Sequence, residues 1–149
     1  MVVLNAKKIL VPVSGSESDM EAFRLACSLA RENRAKLYAV YVIEVGRDLP
    51  VDADLGPETR RGEEVLSRIE AIAREKRCGL EADILQARDS GAAILQEAVD
   101  KDVDLIIIGA PYKRRSGSSV LHDTINYLLK NSPCPVLVLR EGMPVRVAS

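Results

Sequence analysis

The stretch from Val103 to Arg140, VDLIIIGAPYKRRSGSSVLHDTINYLLKNSPCPVLVLR, constrains the fold more than any other. Leu105–Ile108 is an unbroken apolar run, the mark of a strand covered on both faces, and Gly109 ends it. Lys113, Arg114 and Arg115 follow, then Ser116, Gly117, Ser118 and Ser119. From Val120 the apolar residues fall at Leu121, Thr124/Ile125 and Leu128, a helical spacing, and Asn131-Ser132-Pro133 stops the helix. Val136–Leu139 is apolar again. A strand, a loop of small and basic residues and a helix N-terminus make an arrangement in which α/β proteins hold anions. Free backbone N–H groups and the helix dipole converge there.

The rest of the chain repeats the alternation. Ile9–Val13 is a buried strand and Ser14-Gly15-Ser16 the turn that leaves it. Ser18 with Glu21 three residues later fits a capping box. The helix it opens runs to about Asn33, with Ala22, Leu25, Ala26, Leu29 and Ala30 inward. Lys36–Glu44 is a second strand. Val45–Pro57 holds Gly46, Pro50 and Gly56 with Asp48, Asp52 and Asp54, an acidic solvated loop without the alternation of a calcium loop. Pro57 suits a helix start, and the helix reaches about Arg77, burying Val65, Leu66, Ile69, Ile72 and Ala73. Glu81–Gln86 is a third strand. Asp89 or Ser90 caps a short helix with Ile94, Leu95, Ala98 and Val99 inward. Such β-α alternation implies a doubly wound, five-stranded parallel sheet with helices on both faces and right-handed crossovers. One domain spans residues 1–149, with 141–149 a loose tail.

Composition narrows the function. A net charge of −1 gives no general attraction to nucleic acid or membrane. One Phe, four Tyr and no Trp leave too few aromatics for a base-stacking surface. Cys27, Cys78 and Cys134 are widely spaced and form no zinc-binding pattern, as expected of inert thiols in a reducing compartment. No stretch approaches the ~20 apolar residues that span a bilayer, and the amino end has too short an apolar run for a signal peptide. A cytoplasmic location follows as the expectation.

Two sets of residues carry a family resemblance. Ile9-Leu10-Val11-Pro12-Val13 at the amino end is one, and Gly109 with the closing run Ser132-Pro133-Cys134-Pro135-Val136-Leu137-Val138 is the other. Over nearly the whole chain they resemble the universal stress protein family. The resemblance implies strand order 3-2-1-4-5, which sets the carboxyl ends of strands one and four side by side around one crevice. It also implies a homodimer formed through the last strand, at Val136, Leu137, Val138 and Leu139. The other partner, a protein, is unknown.

In nucleotide-binding members of the family, an acid follows the first strand, and a G-x-x-G motif, nine residues and G-[ST] follow the fourth. Here the acid is replaced by Ser14, the second glycine by Tyr112, the third by His122 and the hydroxyl residue by Asp123. Bulk at 112 and 122 hinders backbone approach to a phosphate, and Asp123 adds like charge. The candidate nucleotide- or anion-binding residues are Pro12, Ser14, Val40, Gly109, the loop Lys113, Arg114, Arg115, Ser116, Gly117, Ser118 and Ser119, and His122, Asp123 and Thr124. His122 is the sole histidine, and no motif ties a Ser or Cys nucleophile to it, so no catalytic residue and no metal ligand is assigned. The departures favour a non-enzymatic stress-response or regulatory dimer that binds ATP weakly or not at all. The alternative is a member that binds ATP or another adenine nucleotide, with magnesium, in a rebuilt site. A third reading, an adenylyl or thiol-activating transferase, lacks that group's Ser-Gly-Gly-x-Asp-Ser loop and has Ser14-Gly15-Ser16-Glu17-Ser18-Asp19 instead.

Overall fold

Apolar residues at consecutive positions build strands that have two buried faces. The computed structural model describes residues 5–111 and 119–142. In chain order its elements are β1 (Lys8–Pro12), α1 (Glu17–Asn33), β2 (Lys36–Glu44), α2 (Gly56–Lys76), β3 (Glu81–Ala87), α3 (Ser90–Asp100), β4 (Leu105–Ala110), α4 (Ser119–Asn131) and β5 (Val136–Arg140). The five strands form one sheet in the order β3-β2-β1-β4-β5, and all its pairings are parallel.

Alternate residues of each central strand serve two separate cores. Ile9, Val11, Leu37, Ala39, Leu105 and Ile107 face α1 and α2, where Phe23, Ala26, Leu66 and Ile69 join them. Leu10, Tyr38, Val40, Ile106 and Ile108 face the other way, toward Ile94 and Ala98 of α3 and Leu128 of α4. Helices therefore cover both faces, as the alternation requires. Tyr38 and Tyr41 of β2 fall in opposite cores and act in packing. Cys27 is buried, while Cys78 and Cys134 are half-buried. Burial pushes the Cys27 thiol well above its usual range, and the neighbouring Cys78 adds to the effect.

Two sequence expectations are corrected here. Val99, assigned to the inner face of α3, is 59% exposed. Leu25 and Leu29 of α1 are only half-buried, and Phe23 and Cys27 take the innermost places. The acidic loop is solvated as expected, with residues 46–52 exposed, and is also anchored at several points. Gln86 Nε2 donates to the carbonyls of Val51 and Ala53 at 2.9 and 3.0 Å, and Arg88 Nη1 donates to those of Val45 and Gly46.

Candidate functional site

The two central strands part company toward their carboxyl ends. β1 pairs with β4 only at Ile9–Leu105 and Leu10–Ile106. Val11 and Pro12 continue along β2, against Ala39 and Val40, whereas Ile107–Ala110 continue along β5. This is where the strand order reverses, the position of the ligand crevice in open α/β sheets. The first turn of α1 lies against its β4 wall. A Cβ added at Gly109 would stand 2.3 Å from the Ser18 carbonyl oxygen and 2.9 Å from the Asp19 nitrogen. Gly109 thus lies within β4, paired with Leu139, and does not end the strand. Its missing side chain lets two backbones touch.

The β1 wall is a tight turn. Gly15 has φ +113°, a conformation suited to glycine. Ser16 is the N-cap of α1, its Oγ accepting the Asp19 N–H at 3.3 Å. Asp19 completes the capping box by accepting the Ser16 N–H at 3.0 Å on Oδ2. The same oxygen accepts the N–H groups of Ser14 and Gly15, each at 2.7 Å, and the Ser14 hydroxyl at 3.3 Å. Asp19 is 1% exposed, and its Oδ1 is buried without a partner among the described residues. Burial raises its pKa above the ordinary aspartate value, while the donors from Ser14, Gly15 and Ser16 oppose the rise. The expected box at Ser18 and Glu21 does not form. Ser18 is buried with its hydroxyl 2.7 Å from that of Ser16, and Glu21 pairs with Arg24 at 2.8 Å.

Several sequence candidates meet at this crevice. Pro12 is buried opposite Val40, Ser14 is exposed at the rim, and Gly109 carries the contact with α1. The Val40 side chain belongs to the second core, and its carbonyl accepts the Val13 N–H at 2.9 Å. At Val40 it is therefore the backbone, not the side chain, that stands at the carboxyl ends of β1 and β2. Ser119 begins α4, on which His122 and Asp123 are exposed and Thr124 is 7% exposed. Tyr112 and the basic loop Lys113, Arg114, Arg115, Ser116, Gly117 and Ser118 lie outside the described residues. Among the described residues no cluster of three metal-ligating side chains forms, and no helix is long and apolar enough to cross a membrane. Sequence reasoning missed Asp19. Its signal was present, since Ser16-x-x-Asp19 also fits the capping pattern.

The fold agrees with what known proteins show. The model of the universal stress protein family matches residues 5–140. The chain belongs to the universal stress protein family. A curated universal stress protein of Methanocaldococcus jannaschii is 29% identical over 141 residues, covering 91% of this chain and 82% of that one. Among solved structures, this universal stress protein is similar in fold to one from Archaeoglobus fulgidus in complex with dAMP. That match has a TM-score of 0.68 and 22% identity, over 89% of this chain and 96% of the other. It is also similar to a family protein from Arabidopsis thaliana with AMP bound, with a TM-score of 0.67 and 21% identity over 91% and 92% of the two chains.

Proposed function

We propose that this universal stress protein acts by binding rather than by turnover, taking an adenine nucleotide in the crevice between β1 and β4. The observation that carries this reading is the parting of those strands at the reversal of strand order. The dAMP and AMP held by two proteins of the same fold support it. Base and ribose lie near Pro12 and Ser14, and phosphates lie toward the N-terminus of α4. Thermal-shift and calorimetric titrations with ATP, ADP and AMP, with and without magnesium, test it. A ~10 µM site at ~1 mM nucleotide adds about 2.7 kcal/mol, a rise in Tm of several degrees. No shift and no binding heat with any adenine nucleotide overturns the reading.

A second reading, a regulatory dimer without nucleotide, is favoured by one observation. Ser14, exposed at the rim with its hydroxyl donating to Asp19, stands where nucleotide-binding members carry an acid. On that reading the combined changes Ser14→Asp, Tyr112→Gly, His122→Gly and Asp123→Ser create ATP binding in a chain that had none. Both readings include a homodimer. β5 is an edge strand, and its apolar Val136–Leu139 are only half-buried in the single chain, an edge of the kind that partners cover. Sedimentation is expected to give a mass near twice the chain's 16.3 kDa. A monomer mass at tens of micromolar, by order of magnitude a permissive concentration for a stable dimer, removes the dimer from both.

A further inference from the structure

The N–H groups of Ser14, Gly15 and Ser16 converge on one point at the carboxyl end of β1. Successive N–H groups in such a turn, at the start of a 17-residue helix, make a nest for an anion. The occupant is the chain's own carboxylate, with Asp19 Oδ2 at 2.7, 2.7 and 3.0 Å from the three nitrogens. A capping box alone accounts for the Ser16 contact. It does not account for Ser14 and Gly15.

The second oxygen of Asp19 points to more than a helix cap. Oδ1 is buried and unpartnered among the described residues, on a side chain that is 99% buried because it is 1% exposed. An ordinary capping carboxylate keeps its second oxygen in water, whereas a buried, unpartnered acceptor is costly. The three donors on Oδ2 offset part of that cost and hold the carboxyl group out of solvent, with its pKa still raised by burial. The turn also comes close in composition to a phosphate loop, yet its donors are already taken. We propose that Asp19 is an internal counter-anion that fills a competent anion nest in the β1–α1 turn. The turn therefore rejects phosphate.

Inorganic phosphate is the probe, so the test is independent of nucleotide binding. Wild type, Asp19→Ser and Asp19→Asn are titrated at constant ionic strength by calorimetry and by ¹H–¹⁵N amide shifts. Asp19→Ser is expected to bind phosphate at least about tenfold tighter than wild type, with shifts centred on Ser14, Gly15 and Ser16. Asp19→Asn keeps an oxygen in the nest and is expected to fold and stay unresponsive. Equal affinity of Asp19→Ser and wild type overturns the proposal, as do phosphate-dependent shifts at Ser14–Ser16 in the wild type or in Asp19→Asn. If Asp19→Ser folds only with phosphate added, that rescue supports the proposal. Failure of rescue while Asp19→Asn folds overturns it. A wild type that binds no nucleotide leaves this result untouched, because no nucleotide enters the experiment.

Discussion

Gly109→Ala is expected to destabilise the protein by about 3 kcal/mol or more, at or beyond the upper end for overpacking a core position. The new Cβ would stand 2.3 Å from the Ser18 carbonyl oxygen and 2.5 Å from its carbon. The obstacles are backbone atoms, which no rotamer change can move aside. Neither partner yields cheaply. β4 is held between β1 and β5, and the first turn of α1 is tied to the Ser14–Ser16 turn through Asp19. Gly79→Ala is the control, because a Cβ there meets nothing within 4 Å. It is expected to stay within about 0.5 kcal/mol of wild type. Urea denaturation of the two variants reads the difference directly. A Gly109→Ala protein within about 1 kcal/mol of wild type would show that the helix and strand can separate. It would remove the argument that their contact defines the crevice.

Much of this fold was legible because a doubly wound sheet writes itself plainly. Its central strands need apolar side chains on both faces, and runs such as Leu105–Ile108 have no other ready explanation. The helix cap at Asp89 was legible for a similar local reason, since its side chain accepts the Ala92 N–H at 2.9 Å. The candidate site was less legible. Two capping frames, Ser16-x-x-Asp19 and Ser18-x-x-Glu21, overlap with an offset of two residues. Local chemistry allows both. The choice is made by a tertiary contact, since the backbone at Ser18 and Asp19 must reach Gly109 and the Asp19 carboxylate must reach Ser14. Val40 was legible as a position but not as an orientation. Its place in β2, opposite the end of β1, puts its backbone near the crevice, but the pleat turns its side chain into the second core.

Phe23 measures which residues of α1 sit deepest against the sheet. The apolar spacing puts Ala22, Leu25, Ala26, Leu29 and Ala30 inward. Ala22, Ala26 and Ala30 are buried as expected and are joined by Phe23 and Cys27, while Leu25 and Leu29 pack half-buried at the edge of that core. Phe23 is the sole phenylalanine of the chain and is fully buried between α1 and the sheet. Phe23→Ala is therefore expected to cost about 3–5 kcal/mol, the range for emptying an aromatic site in a packed core. Phe23→Leu keeps most of the volume and is expected to cost under about 1.5 kcal/mol. Leu25→Ala, on a half-buried residue, is expected to cost less than Phe23→Ala. Chemical denaturation of the three variants gives the order. If Leu25→Ala proves the more damaging, α1 is turned so that Leu25 faces the sheet in place of Phe23 and of Asp19 one turn before it. The Asp19 carboxylate would then lie away from the Ser14–Ser16 turn, and the closed nest beside the crevice would go with it. The burial of one aromatic ring and the occupancy of the nest are thus two readings of a single helix phase.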